Sequence, residues 1–258
     1  MKITAIIPAR LRSTRLPEKV LADIVGKSML LRVYNVADTS GLFDSVIVAT
    51  DSELIMDHCI ANNMRVMITS TEHKSGTDRI AEVAKMLDSE IIINIQADEP
   101  FLEKSTLLAL VELMANEDVS IGTLTKRIDS PEALLDYNTV KLVKDLNDKV
   151  LYFSRQAIPA HRDIPFRDWL DNTIYYQHVG VYGFKRKDLL AVTELIPGDL
   201  EESEKLEQLR WIENGYDVFC VTVKSTSFGI DTEEDLEKAR AHATFLEVSA
   251  ESIQVDNQ

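Results

Sequence analysis

Through residue 116 the chain alternates short β-branched runs with stretches of helical periodicity, and no other feature limits the fold as tightly. ITAII (3–7), SVIVAT (45–50), RVMIT (65–69) and EIIINIQ (90–96) read as strands. Between and after them, SMLLRVYNVADTS (28–40), a stretch over about 52–62, TDRIAEVAKMLD (77–88) and STLLALVELMAN (105–116) read as helices. Strands joined through helices imply βαβ units and a mainly parallel sheet with helices on both faces. The strands are nearly all apolar, as expected when neither face meets water. The expected class is α/β, with a mostly parallel central sheet.

After residue 119 the rhythm changes. SIGTLTKRI (120–128), TVKLVKD (139–145), KVLYFSR (149–155) and IYYQHVGVYGFK (174–185) are strand-like with little helix between them. LNDK (146–149) fits a hairpin turn, because Asn and Asp tolerate tight-turn dihedrals. The segment 156–172, with two prolines, is the expected irregular excursion. ESEKLEQLRWIENG (202–215) reads as one helix ending at Gly215, YDVFCVTV (216–223) as a strand and TEEDLEKARAHATFLE (232–247) as a helix. In the last, Thr232 and Asp235 fit a capping box with Asp in place of Glu. The expected organisation is one domain over 1–247, a β-rich elaboration over about 120–185, and a frayed tail over 248–258.

The formal net charge is −15, from 28 Lys and Arg against 43 Asp and Glu. Such a balance argues against a nucleic-acid or anionic-membrane surface, which needs clustered cations. No run approaches the roughly 18 apolar residues of a membrane span. MKITAIIPAR lacks the pattern of a secretory leader, so the expected compartment is the cytoplasm. Cys59 and Cys220 form no C-x-x-C and have no nearby His pair, which disfavours structural zinc and a disulfide framework.

Against that acidic background, IIPARLRSTRLPEK gathers Arg10, Arg12, Arg15 and Lys19 directly behind the first strand. Ligands of open α/β sheets bind beyond the carboxyl ends of the strands, and the unusual residues of this chain stand there. The loop is neither a Walker A nor a G-x-G-x-x-G motif. Arginine forks and a mobile lysine charge still suit a polyphosphate, and Arg12 is the member that reads as a bystander. SGTDR (75–79) opens a helix after the third strand. QADEP (96–100) sets Asp98 and Glu99 just past the fourth, and Asp231 precedes the last helix. Beside a triphosphate such carboxylates suit Mg²⁺, which takes one or two of them with phosphate oxygens and water. Asp98 equally reads as a turn cap and Asp231 as part of a helix start. His178 also reads as a satisfied core histidine, Arg155 as a surface strand end, and Glu207 and Gln208 as solvated mid-helix residues. No Ser/His/Asp constellation or activated cysteine is visible.

Taken in order, PARLRSTRLPEK, SGTDR, INIQADEP, LYFSRQAIP, HVGVYGF, EKLEQLR and GIDTEEDL resemble the hallmark segments of the 3-deoxy-manno-octulosonate (Kdo) cytidylyltransferases, the CMP-Kdo synthetases. The likeness runs from about Lys2 to Ala241, and CMP-sialate synthetases share only part of the set. It implies a Rossmann-like nucleotidyltransferase fold with a β-rich projection used for homodimerisation. It also implies the reaction of CTP with Kdo to give CMP-Kdo and pyrophosphate for lipopolysaccharide biosynthesis. By likeness Arg10, Arg15 and Lys19 hold the triphosphate, Pro8 and Ala9 lie near the base, and Ser75, Gly76 and Thr77 form the nucleotide turn. Asp98 and Asp231 resemble the Mg²⁺ ligands, and catalysis would fall to Arg15, Lys19, Asp98 and Asp231. Gln96, Arg155, His178, Tyr182, Glu207 and Gln208 fall where the family binds the sugar acid. Three residues depart from the pattern: Glu18 and Val20 stand for the usual Gly and Pro of RLPGKPL, and Ala97 for the Gly of QGDEP. The alternatives are CTP-dependent activation of a related acidic sugar, such as an 8-amino Kdo analogue or a sialic-acid relative, and a non-catalytic nucleotide-binding module.

Overall fold

A computed structural model describes residues 1–11, 16–224 and 227–255, with 248–255 as helix backbone alone. In chain order the strands are β1 (Ile3–Ala9), β2 (Asp23–Ile24), β3 (Lys27–Ser28), β4 (Ser45–Thr50), β5 (Val66–Ile68), β6 (Ile91–Asn94), β7 (Ile121–Ile128), β8 (Lys141–Lys144), β9 (Val150–Ser154), β10 (Tyr175–Lys185) and β11 (Val218–Thr222). The helices are α1 (Met29–Thr39), α2 (Glu53–Ala61), α3 (Gly76–Lys85), α4 (Lys104–Met114), α5 (Pro131–Leu135), α6 (Trp169–Asn172), α7 (Arg186–Val192), α8 (Asp199–Glu204), α9 (Gln208–Glu213) and α10 (Glu233–Val255).

The large sheet runs β11-β7-β10-β6-β1-β4-β5. Strands β6, β1, β4 and β5 are mutually parallel, as the alternating sequence pattern requires. Strand β10 enters antiparallel between β6 and β7, and the β8–β9 hairpin attaches at its start through Tyr176 and Gln177. That hairpin lies within the stretch 120–185 expected to be β-rich. Its turn closes through Asp145 N–H to Lys149 O at 2.8 Å, with Asp148 at φ 63°, as LNDK predicted.

Along β1, residues alternate between two cores, with Ala5 and Ile7 packing among Leu30, Val33, Leu107 and Leu110. Ile6 faces the other way, among Ile80, Val83 and Ala84 of α3. Helices α1, α2, α3 and α5 each follow a serine, Ser28, Ser52, Ser75 and Ser130, whose Oγ accepts an amide of the first turn. Such a cap stabilises a helix by about 1 kcal/mol.

Two expectations are corrected. The helix predicted over 202–215 is two helices, because Lys205 turns left-handed at φ 54°. The cause lies in β9. Glu204 is drawn to Ser154 Oγ at 2.7 Å and Arg155 N–H at 2.9 Å, while the Arg155 guanidinium takes the carbonyls of Glu204 and Lys205. Glu207 and Gln208 therefore stand at the start of α9, not in mid-helix. The final helix also continues to Val255 instead of ending near Glu247.

Candidate active site

The carboxyl ends of β1 and β6 open on a cleft of about 260 Å³. Pro8, Ala9, Arg10, Lys19, Ser75, Gly76, Gln96, Asp98 and Asp231 all line it, so most of the expected nucleotide and metal residues share one space. Arg12 and Arg15 lie outside the described residues. The N-terminus of α3 closes on β1 so tightly that a Cβ at Gly76 would sit 3.2 Å from Pro8 Cγ. A side chain there would crowd the Pro8 ring unless one of the two gave by a few tenths of an ångström. Ser75 and Asp78 also form a reciprocal capping box, legible as S-x-x-D in SGTDR.

Lys19 begins a 3₁₀ turn, Lys19–Leu21, that follows Glu18. Its ammonium donates to Asp98 Oδ2 at 2.7 Å and to Asp231 Oδ1 at 2.9 Å. Burial alone would lower the Lys19 pKa; attraction to Asp98 and then Asp231 outweighs it, and the pKa is raised. Two segments far apart in sequence are thus brought to one cation. They are also joined directly, by Ile230 N–H to Asp98 O at 3.1 Å and Ser227 Oγ–H to Glu99 Oε2 at 2.6 Å. Burial pushes the Glu99 carboxyl up to about 7. The predicted Thr232–Asp235 box is present, and Asp235 Oδ2 also accepts the amide of Asp231.

The expected sugar residues divide. Gln96 lines the cleft, its amide donating to Asn94 Oδ1 at 3.0 Å. Thr77 is not among the lining residues and donates to Glu207 Oε2 at 2.6 Å, while burial raises the Glu207 pKa. Tyr182 is buried near Glu207, and its hydroxyl has no hydrogen-bond partner among the described residues. His178 pairs with Thr123 Oγ1 at 2.9 Å and packs between the rings of Phe153 and Tyr182. Burial pushes its pKa down to about 3, so it stays neutral. Gln208 is buried. Arg155 does not line the cleft; its guanidinium holds the carbonyls of Tyr137, Glu204 and Lys205.

Sequence reasoning did not assign His73, Lys74 and Arg79 to the cleft wall, and met Val20 there only as a departure from the family pattern. Arg79 is the informative omission. Nearly fully buried, it reaches Asp51 Oδ2 at 2.8 Å and Thr69 Oγ1 at 2.6 Å, tying the ends of β4 and β5 to α3. The signal was an arginine in the apolar period of TDRIAEVAK, where a buried cation needs partners. The three departures from the family pattern also find places, and Val20 is buried in the cleft wall. Glu18 is exposed at φ 54°, its carboxylate outside the cleft wall, and Ala97 lines the cleft without a positive φ.

The donor set fits a hard divalent cation. Two carboxylate oxygens already converge on a positive charge, the Lys19 ammonium, beside room for a polyphosphate.

Residues 4–225 match the family described as Cytidylyltransferase. A protein of Geobacter metallireducens named 3-deoxy-manno-octulosonate cytidylyltransferase is 45% identical over 245 residues, covering 92% of this chain and 96% of the relative. A Flavobacterium johnsoniae protein of the same name is 42% identical over 244 residues, covering 93% and 98%. The solved structure of CMP:2-keto-3-deoxy-manno-octonic acid synthetase complexed with CTP superposes with a TM-score of 0.88 at 35% identity, over 95% of this chain and 99% of that one. A 4-diphosphocytidyl-2C-methyl-D-erythritol synthase from Anaerococcus prevotii, at 17% identity and a TM-score of 0.62, shares the fold. With its cleft, its carboxylate pair and these relatives taken together, the chain belongs to the 3-deoxy-manno-octulosonate cytidylyltransferase family of nucleotidyltransferases.

Proposed function

We propose that this chain activates Kdo with CTP, releasing pyrophosphate and forming CMP-Kdo for lipopolysaccharide biosynthesis in the cytoplasm. The observation that carries the reading is the convergence of Asp98 and Asp231 on one cation at the mouth of the phosphate cleft. The names of the relatives supply the nucleotide and the sugar.

In this reading the anomeric hydroxyl of Kdo attacks the α-phosphorus in line, and pyrophosphate leaves. Such a reaction asks the protein for position and charge, not for a covalent intermediate. Arg10, Arg15 and Lys19 bind the triphosphate, and the amide groups at the start of α3, after Ser75, favour its negative charge. Pro8 and Ala9 border the base. Asp98 and Asp231 would hold Mg²⁺, which when bound neutralises charge on the α-phosphate. Gln96, Arg155, His178, Tyr182, Glu207 and Gln208 form the sugar-acid side. The unpartnered Tyr182 hydroxyl supports that assignment, because a ligand hydroxyl would satisfy it. Leu135, Tyr137, Leu151 and Ile174, exposed around the β-rich elaboration, support a homodimer formed through it.

Pyrophosphate release with Mg²⁺ tests the reading, comparing CTP with UTP and ATP, and Kdo with N-acetylneuraminate. Release is expected with CTP and Kdo, and no release from any pair would favour a binding module. Asp98→Asn is expected to remove at least about a thousandfold of the rate with the fold retained, the upper range for one preorganised group. Near-normal release from the folded variant would remove Asp98 from the metal site.

A further inference from the structure

The carboxylates proposed as metal ligands already have a counter-ion built into the chain. Lys19 Nζ lies within 2.9 Å of an oxygen from each, and its side chain is only 12% exposed. The two carboxylates are fastened at their backbones. Ile230 N–H bonds Asp98 O, and Asp235 accepts the amides of Asp231 and Thr232. The Lys19 backbone is fixed too, through Leu21 N–H to Glu18 O at 2.8 Å and Ala22 N–H to Lys19 O at 3.1 Å. What can move is the four-carbon lysine stem, which carries a compact charge on rotatable bonds.

A divalent cation on these oxygens would face the ammonium at close range, and like charges at that distance in a part-buried site repel strongly. The ammonium must therefore yield before the cation is held well. The same cleft, bordered by Arg10 and Lys74, offers it a destination when a triphosphate is present. We propose that Lys19 is the resident counter-ion of the Asp98–Asp231 pair in the substrate-free protein, so that a divalent cation is accepted only together with a nucleoside triphosphate whose oxygens take over the ammonium. The proposal rests on the reading of Asp98 and Asp231 as metal ligands. It makes the metal–triphosphate complex the species that the site selects, and disfavours free metal.

Binding of Mn²⁺ to the full chain without nucleotide, read by electron paramagnetic resonance of the free ion, tests it. Wild type is expected to bind weakly. Lys19→Met is expected to bind at least about tenfold tighter, because the Lys19 charge no longer competes for these oxygens. Lys19→Arg, which keeps the charge, should stay as weak as wild type, and Lys19→Met/Asp98→Asn should lose the gain. Mn²⁺ should also raise the melting temperature of Lys19→Met more than that of wild type. Should Lys19→Met fail to fold, Lys19→Gln keeps N–H donors without the charge and is read in the same way. No gain in the neutral variants, with Mn²⁺-dependent CTP binding still lost in Asp98→Asn, overturns the counter-ion role alone. A gain that survives Asp98→Asn overturns the metal-ligand reading, and this proposal with it.

Discussion

Lys19 and Lys141 are both largely withdrawn from solvent, and their surroundings shift them in opposite directions. Lys19, in the cleft, faces two carboxylates and its pKa is raised. Lys141, at the start of β8, is completely buried and donates to the carbonyls of Asp136, Thr139 and Arg155 at 2.8, 2.7 and 2.5 Å. Burial pulls its pKa down, and the more distant Asp136 and Glu204 only partly restore it. Carboxylates are partners that can be exchanged for another cation while the backbone stays in place. Carbonyls belong to the fold, so a lysine bonded to them is a pin. The same side chain is held by exchangeable charges in one place and by the backbone in the other.

The largest expected effect breaks the pin. Lys141→Met leaves three inward carbonyls without this donor and should cost about 3 kcal/mol of stability, the scale of a buried acceptor left unsatisfied. Denaturant unfolding measures it, and a loss under 0.5 kcal/mol would make the cage incidental. Lys19→Ala should do the reverse. It is expected to lower the rate about a hundredfold, equivalent to about 2.7 kcal/mol of barrier, with a smaller loss of stability. A change confined to apparent Kdo affinity would reassign Lys19 to the sugar.

Alkaline pH sharpens the contrast. The folded pKa of Lys141 lies below the ordinary 10.5. Between the two values the unfolded chain binds more protons, so the contribution of Lys141 to stability rises with pH. The folded pKa of Lys19 lies above 10.5, so its contribution is complete below that value and is lost as pH climbs through the folded one. Stability differences between wild type and each variant, followed from pH 8 to 11, should therefore diverge with opposite slopes, each no steeper than about 1.4 kcal/mol per pH unit. Parallel curves would erase the distinction.

The parallel strands were legible because their apolar runs are local, and the carboxylates because Asp98 follows a strand and Asp231 precedes a helix. What stayed hidden depends on distant partners. Nothing near residue 205 in sequence says that Ser154 and Arg155 will claim Glu204 and break the helix. Likewise Lys19 reads as a phosphate ligand from its own motif, whereas its pairing with residues 79 and 212 positions away appears only once β1, β6 and α10 meet. His178 carried two readings, and its bond to Thr123 within a shell of rings makes it a satisfied, neutral histidine whichever ligand it also meets.

The smallest expected effect lies beside Lys19 itself. Glu18 occupies a left-handed backbone conformation, φ 54°, that costs a non-glycine residue about 1–2 kcal/mol. Its side chain is exposed, so removing it sacrifices no packing. Glu18→Gly should relieve the conformational cost, while glycine's greater freedom in the unfolded chain takes part of the gain back. The net expectation is about 0.5–1 kcal/mol of added stability, seen as a raised melting temperature. Because Glu18 is not among the residues lining the cleft, the rate of pyrophosphate release should change far less than in Lys19→Ala. A variant less stable than wild type would mean that residue 18 does not hold this backbone in solution. A large fall in rate would mean that the glutamate, not only the turn that carries it, helps aim Lys19.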